Sequence, residues 1–243
     1  MPLTPAELDR TLETLRAGQI DVLGLLPYSS NYVFLARLEH EGNDELAVYK
    51  PRKGETPLWD FPEGTLAARE VGAFVVSEAA GWNLVPPTVL RDDAPMGPGS
   101  LQQFIEHDPE RHFFTLAEER FDDFRSFAVL DAVINNADRK GGHILEDARR
   151  RLWGVDHGLS FNLAPKLRTV IWAFAGDAVD KTNRRHLEAL TLGFSKDEGW
   201  GAEFGRLLSP AEARATFDRA ADLLDTGTFP CPETPHHLPW PLV

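Results

Sequence analysis

The chain has 243 residues, of which 42% are hydrophobic, so it is long enough to form one domain or a two-lobed unit with a sizeable core. Its formal net charge of −13 argues against a nucleic-acid partner, because proteins that bind nucleic acids usually carry a basic face. The same charge weighs against a substrate at an anionic membrane surface but does not exclude one.

Three absences in the sequence narrow the class further. The single cysteine, Cys231, cannot form an internal disulfide, so no oxidising compartment is indicated. No run of eighteen apolar residues predicts a membrane-spanning helix, and the first residues do not resemble a signal peptide. We therefore expect a cytoplasmic protein without a transmembrane segment.

The first hundred residues are predicted to be rich in β-strands. The capping motif Thr4–Glu7, with Pro5 at the first helical position, predicts a helix that ends at about Ala17. Turn residues between apolar runs then predict strands that pair as an antiparallel sheet. The elements expected after the first helix are strands at 20–26, 32–38 and 45–50, a helix at 66–80, and strands at 85–90 and 100–105.

Helical patterns dominate the second part of the chain. Thr115–Glu118 has the form of a capping box and predicts one helix from Glu118 to about Asn136, with a phenylalanine-rich apolar stripe. The later elements expected are a short strand at 152–155 and helices at about 180–190 and 210–224. The chain is therefore predicted to be an α+β protein with two lobes and a cleft between them.

Two aspartates form the most informative pattern in the chain. Asp138 follows the apolar helical run and precedes two glycines, and His143 follows Asp138 by five positions. After the short strand, Asp156 opens an Asp-His-Gly turn. Protein kinases place a catalytic aspartate, a second metal ligand and a metal-binding aspartate in this order. The pattern predicts phosphoryl transfer, with Asp138 orienting or deprotonating the acceptor hydroxyl and Asp156 binding Mg²⁺.

Residues from the first lobe are candidates for binding the nucleotide. Lys50 ends the third strand, as the phosphate-binding lysine of kinases does, and Glu70 lies in the next helix, where kinases carry the glutamate that pairs with that lysine. A turn of small polar residues after the first strand could offer main-chain N–H groups to phosphate oxygens. The residues of that turn are Ser29, Ser30 and Asn31.

The catalytic loop contains two further candidates. His143 occupies the second metal position, where protein kinases carry asparagine, and an imidazole is a poorer Mg²⁺ ligand than an oxygen donor. His143 is therefore predicted to favour Mn²⁺, to bind through water, or only to orient the loop. Lys140 and Arg139 are both candidates for neutralising the transferred phosphate, and Lys140 is favoured of the two.

Several motifs resemble the phosphatidylinositol 3-/4-kinase-like branch of the kinase fold. The chain is most similar to the type II phosphatidylinositol 4-kinases and their small bacterial relatives, and HipA-like kinases share this branch. The matching segments are 70–86 in the second helix and the stretch after it, 100–106 at the hinge between the lobes, 130–143 at the catalytic loop and 156–161 at the metal turn.

The resemblance implies a single kinase-like domain, with an antiparallel-sheet N-lobe at about residues 1–103 and a mostly helical C-lobe at about 104–243. It also implies that Lys50 binds ATP phosphates, that Glu70 supports Lys50, and that the hinge residues Gln103, Phe104 and Ile105 border the adenine. The expected cofactors are ATP with Mg²⁺ or Mn²⁺, bound by Asp156 and His143. Asp138 and Lys140 are the expected catalytic residues.

Three functions remain open at this point. The first is a kinase that phosphorylates a hydroxyl group of a lipid, an inositol compound or a protein. The second is AMP transfer on the same scaffold, and the third is a pseudokinase that binds nucleotide, which the histidine at 143 favours. The proline-rich stretch from Phe229 to Val243 is expected to be extended, and its His236-His237 pair and Trp240 are candidates for covering a surface groove.

Overall fold

The computed structural model describes residues 3–27, 32–194, 199–232 and 236–243. Within these ranges the chain forms the two lobes expected from the sequence, one built on an antiparallel sheet and one mostly helical. The elements are α1 Pro5–Ala17, β1 Gln19–Leu25, β2 Phe34–His40, β3 Asn43–Pro51, α2 Leu66–Ala80, β4 Thr88–Arg91, β5 Gly99–Gln103, α3 Phe113–Arg120, α4 Arg125–Ile134, β6 Ile144–Glu146, β7 Leu152–Gly154, α5 Lys181–Phe194, α6 Trp200–Leu207 and α7 Pro210–Thr226.

The first lobe is built on a five-stranded antiparallel sheet with the order β1-β2-β3-β5-β4. Ala36 and Ala47 are partners across β2 and β3, and both are fully buried on one face of the sheet. α1 packs on this face, where the Thr11 hydroxyl donates to Glu45 at 3.2 Å. Because side chains alternate along a strand, Lys50 of β3 lies on the opposite face, which is the side of the cleft.

Two helices of this lobe begin and end where the sequence predicts. In α1 the Thr4 hydroxyl accepts a hydrogen bond from the Glu7 N–H, and Glu7 Oε2 accepts one from the Thr4 N–H at 2.8 Å. α2 is followed by Gly81, whose φ of +76° lies in the left-handed region that favours glycine. Most of α2 is buried between the sheet and α5 and α6, so it can carry Glu70 into the centre of the molecule.

The prediction of a single helix from Glu118 to about Asn136 is wrong. The structure has α3, a separate helical turn at Phe121–Phe124, and α4 in its place. Thr115 lies inside α3, where its hydroxyl accepts from the His112 N–H and donates to the Glu110 carbonyl. Because Thr115 acts from within the first turn of α3, the sequence pattern placed the start of the helix too late.

Two elements were not predicted from the sequence, α6 and β6. β6 pairs with β7 in a two-stranded antiparallel hairpin, and this hairpin joins the catalytic loop to the metal turn. α6 packs on α2 through the buried side chain of Phe204, beside Gly72, and on α5 through Trp200, whose Nε1 donates to the Leu190 carbonyl at 2.7 Å. Among the described residues, no helix combines the length and the hydropathy that crossing a bilayer requires.

Candidate functional site

Lys50 lies at the centre of a cluster of charged side chains between the two lobes. Its Nζ atom is 2.5 Å from Glu70 Oε1 and 2.8 Å from Asp156 Oδ1. β3 supplies Lys50, α2 supplies Glu70, and the turn after β7 supplies Asp156. The ion pair between Lys50 and Glu70 that the sequence predicts is thus present, and Asp156 joins it from the second lobe.

These three charges determine one another's protonation. Burial by itself would lower the pKa of Lys50, but the carboxylates of Asp156 and Glu70 raise it above its ordinary value. The Lys50 ammonium in turn holds the pKa of Asp156 far below that of an ordinary carboxyl. Burial raises the pKa of Glu70, and the charge of Lys50 opposes that shift. At neutral pH the cluster therefore keeps Lys50 as an ammonium and Asp156 as a carboxylate.

Asp156 faces a different partner with each carboxylate oxygen. Oδ1 contacts Lys50, and Oδ2 lies 3.3 Å from His143 Nε2. The φ of Asp156 is +59°, in the left-handed region that aspartate adopts more readily than most residues. Its side chain is 51% exposed and therefore open to a ligand. Burial lowers the pKa of His143 to about 4, so its ring is neutral at pH 7. Because Nδ1 accepts from the Lys140 N–H at 3.4 Å, the ring proton lies on Nε2 beside Asp156, and Nε2 would bind a metal only after giving up this proton.

The Asp156 and His143 side chains fit two neighbouring positions around one metal ion. Donor atoms at about 2.1 Å from an octahedral ion and at right angles to each other are about 3 Å apart, and the two atoms are separated by 3.3 Å. Among the residues that the structure describes, no group of three or more His, Cys, Asp or Glu side chains could hold a metal. Two ligands from the chain would suit an ion that takes its other ligands from phosphates and water.

Asp138 lies on the catalytic loop between α4 and β6. Its N–H donates to the side-chain oxygen of Asn136 at 3.0 Å, and its Oδ2 is 3.2 Å from Lys140 Nζ. Burial raises the pKa of Asp138, Lys140 opposes this shift, and the nearby charge of Asp156 adds to it. The side chain is still 23% exposed. A carboxylate that is partly desolvated and still accessible is suited to accept a proton.

The prediction that Arg139 could contact the transferred phosphate is wrong, because the Arg139 side chain is fully buried. Its guanidinium donates to both carboxylate oxygens of Asp131 at 2.9–3.1 Å. It also donates to the carbonyls of His143 at 3.2 Å and Val155 at 3.0 Å, and its Nη2 lies 2.6 Å from His157 Nε2. Arg139 therefore ties the catalytic loop to the metal turn from the inside.

His157 connects this buried ion pair to Glu70. Since Arg139 can only donate, His157 Nε2 must accept, and the neutral ring carries its proton on Nδ1. Burial and the charge of Arg139 lower the pKa of His157 well below its ordinary value. The main-chain N–H of His157 donates to Glu70 Oε2 at 2.9 Å. An unbroken series of contacts thus runs from Lys50 through Glu70 and His157 to Arg139, and sequence reasoning gave His157 no role in it.

The predicted hinge residues lie within the described ranges, whereas the residues of the predicted phosphate-covering turn do not. The side chain of Gln103 donates to Glu45 at 3.4 Å on the face of the sheet opposite Lys50, so a contact between Gln103 and a nucleotide must use the main chain. Phe104 is half-buried and Ile105 is buried, and their contact with adenine stays a prediction. The predicted turn residues lie outside the described ranges: Ser29, Ser30 and Asn31.

Comparison with solved structures identifies the fold. The Golgi casein kinase with Mn/ADP bound aligns with a TM-score of 0.56 and 15% identity, covering 99% of this chain and 81% of that chain. The structure of hydra Fam20 with sugar gives a TM-score of 0.55 at 13% identity, covering 92% and 89%. The Helicobacter pylori proinflammatory kinase CtkA gives 0.53 at 12%, covering 88% and 94%. The chain therefore has a protein-kinase-like fold, as predicted.

The narrower resemblance to phosphatidylinositol 3-/4-kinases receives no support from these three structures, which are those of a casein kinase, a Fam20 protein and the kinase CtkA. No protein-family model matches the chain. In sequence, it is 38% identical over 264 residues to Protein Rv2133c of Mycobacterium tuberculosis, and the alignment covers 93% of each chain. Because this identity extends over nearly the whole of both proteins, the chain belongs to the family of Protein Rv2133c.

Proposed function

We propose that the chain is an ATP-dependent phosphotransferase that moves the γ-phosphate of ATP to a hydroxyl group. The observation that carries the proposal is the meeting of Lys50, Glu70 and Asp156, with contacts of 2.5 and 2.8 Å, beside a catalytic loop that presents Asp138 and Lys140. Phosphoryl transfer requires a cation for the nucleotide phosphates, a hard oxygen ligand for the metal and a group that receives the acceptor proton. These side chains supply each requirement.

Each residue has a distinct role in this proposal. Lys50, kept positive by its two carboxylates, binds phosphate oxygens, and Glu70 fixes its position. Asp138 receives the proton of the acceptor hydroxyl, and Lys140 neutralises charge on the transferred group. A divalent metal held by Asp156 and His143 would further neutralise the phosphates. The hinge residues Gln103, Phe104 and Ile105 border the adenine, and the whole chain acts as one kinase-like domain.

The motif resemblance to phosphatidylinositol 3-/4-kinase-like enzymes supports these roles and makes a lipid or inositol-type hydroxyl one candidate acceptor. The likeness of the fold to the casein kinase makes a protein hydroxyl the other. No nucleic acid is expected as a partner, given the net charge of −13. Contact with a membrane surface is expected only if the acceptor is a lipid.

The test is ATP turnover by the purified chain with Mg²⁺ or Mn²⁺, followed by mass spectrometry of the products. Formation of ADP supports the proposal, whereas transfer of AMP with release of pyrophosphate would assign the chain to AMP transfer instead. Nucleotide binding without turnover under either metal would favour a pseudokinase. The observation that favours this second candidate is the histidine at 143, in place of an oxygen ligand.

Replacing His143 with asparagine is expected to change the metal preference. An amide oxygen suits Mg²⁺ better than an imidazole nitrogen does, so the ratio of kcat with Mg²⁺ to kcat with Mn²⁺ should rise by about one order of magnitude. Mn²⁺ affinity, measured by electron paramagnetic resonance in the presence of ADP, should fall in the same variant. An unchanged ratio together with unchanged Mn²⁺ affinity would show that His143 does not bind the metal and only orients the loop.

Replacing Lys140 with methionine is expected to move the acidic limb of the pH profile of kcat/KM. Asp138 must be deprotonated to receive a proton, and the charge of Lys140 lowers the pKa of Asp138. Without that charge the pKa of Asp138 rises further, so activity should be lost at a higher pH than in the wild type. A limb that stays at the same pH, or moves to lower pH, would contradict the assignment of this limb to Asp138.

A further inference from the structure

The segment 236–243, here called the C-terminal segment, lies against the catalytic loop. The carbonyl of His237 accepts hydrogen bonds from the Thr169 N–H at 3.1 Å and from Trp172 Nε1 at 2.9 Å. The carbonyl of Leu242 accepts a hydrogen bond from the Gly141 N–H at 2.7 Å. Two main-chain carbonyls of the segment are thus bound by three N–H donors from the second lobe.

These donors flank the residue proposed to receive the acceptor proton. Gly141 follows Asp138 by three positions on the catalytic loop. Thr169 forms a parallel bridge with Arg139, since the Val170 N–H donates to the Arg139 carbonyl at 3.1 Å. The residues between the two bound carbonyls, 238–241, therefore pass alongside the catalytic loop. The Asp138 side chain stays 23% exposed, so the segment borders the approach to Asp138 without sealing it.

The hydrogen bonds that hold the segment use its main-chain carbonyls, although the segment bends at residues 238, 240 and 241. The large apolar side chains of Leu238 and Trp240 are 47% and 85% exposed, so their burial contributes little to holding the segment. Pro239 is buried, and the His237 ring contacts the Trp172 ring with centroids 5.7 Å apart. A groove that binds carbonyls through N–H donors can accept polypeptides of different sequence, because every residue carries a main-chain carbonyl. The segment, HHLPWPLV, contains no serine, threonine or tyrosine, so it can occupy such a groove without offering a hydroxyl.

We propose that the groove between Gly141 and Thr169–Trp172 is an acceptor site for a polypeptide with a serine or threonine hydroxyl, and that the C-terminal segment occupies it as an intramolecular competitor. This inference rests on the proposed phosphotransferase function and chooses a protein over a lipid acceptor. The hydroxyl oxygen forms a bond to the γ-phosphorus, the bond from that phosphorus to the β–γ bridging oxygen breaks, and ADP leaves. The hydroxyl proton passes to Asp138.

The first experiment compares the full chain with a chain that ends at Pro232. The probe is the octapeptide HHLPSPLV, a copy of the C-terminal segment with serine at the position of Trp240, and its phosphorylation is measured with ATP and Mn²⁺. A tethered competitor acts at a high effective concentration, so its removal should lower KM for the peptide by about tenfold and leave kcat unchanged. A segment that only stabilises the fold would instead lower kcat and the melting temperature on removal.

The second experiment keeps the full chain and places a hydroxyl in the segment itself. The four variants are Leu238→Ser, Pro239→Ser, Trp240→Ser and Pro241→Ser. At least one is expected to phosphorylate its new serine at a rate independent of protein concentration, detected by peptide mass spectrometry. Leu192→Ser on α5 is the matched control, because Leu192 is 71% exposed, and it should remain unmodified.

The outcomes separate the two proposals. If the wild-type chain converts no ATP to ADP under any condition, the phosphotransferase proposal fails. If it does convert ATP, but truncation leaves KM for the octapeptide unchanged and none of the four serine variants is modified, the polypeptide acceptor site is overturned while the phosphotransferase function stands. Phosphorylation of phosphatidylinositol vesicles, with no transfer to any peptide, would overturn the polypeptide acceptor site in favour of a lipid acceptor.

Discussion

Asp138→Asn is expected to lower kcat for phosphoryl transfer by about 10²–10⁴-fold, the usual contribution of a positioned general base. The amide has nearly the same shape but cannot receive the acceptor proton. Nucleotide affinity should change little, because Asp138 contacts Lys140 and the Asn136 side chain and makes no contact with Lys50 among the interactions of the described residues. The measurement is steady-state ADP formation, combined with titration of a fluorescent ATP analogue.

Asp156→Asn should give a different pattern, and the contrast tests the two roles. Asp156 contacts both Lys50 and His143, so its neutralisation should weaken binding of the metal–nucleotide complex as well as lower kcat. Asp225→Asn, an exposed replacement on α7, is the matched control and should behave like the wild type. Wild-type turnover by both Asp138→Asn and Asp156→Asn would rule out the proposed site.

The parts of the fold that the sequence predicts are those with local causes. The ends of α1 and α2 follow from the Thr4–Glu7 capping box and from Gly81, which act within a few residues of each helix end. The pairing of Lys50 with Glu70 could be anticipated because the strand-then-helix order is read directly from hydrophobic spacing and turn residues. Local patterns therefore suffice for most of the first lobe.

The division of the predicted long helix into α3 and α4 depends on contacts that are distant in sequence. Phe121 packs against Phe174 with ring centroids 4.7 Å apart, and Phe124 is fully buried next to Phe113. These contacts favour the separate turn at Phe121–Phe124. The apolar spacing through this region would also be compatible with a continuous helix. Helical periodicity reports which face is buried and gives little information on where the backbone changes direction.

The buried network behind the site was also beyond sequence reasoning. Asp131 sits on α4, Arg139 on the catalytic loop and His157 in the metal turn, and each looks like an ordinary surface residue when considered alone. Only the folding of the second lobe, which brings α4, the catalytic loop and the metal turn together, removes all three from solvent and places them within hydrogen-bond distance. The same ambiguity made Arg139 a candidate for phosphate contact, although the chain uses it as an internal support.

Arg139→Met is expected to lower the free energy of unfolding by about 3–5 kcal/mol, because it leaves the Asp131 carboxylate buried without its cation. Both side chains of this ion pair have no exposed surface, so water cannot replace the lost hydrogen bonds. The Asn136 amide, 2.9 Å from Asp131 Oδ1, compensates for part of the loss. Urea denaturation followed by circular dichroism measures the change as a lower midpoint at an unchanged slope.

Two variants show whether the burial of the charge is the cause. Arg150→Met removes an arginine that is 58% exposed, and its buried partner Glu146 keeps its ion pairs with Arg111 and Arg120, so it should cost no more than about 1 kcal/mol. The double replacement Asp131→Leu with Arg139→Met removes both charges together and should recover part of the stability lost in Arg139→Met. A double variant less stable than Arg139→Met would instead mean that Asp131 contributes mainly through its contacts with Asn136 and Thr169, at 2.9 and 3.4 Å.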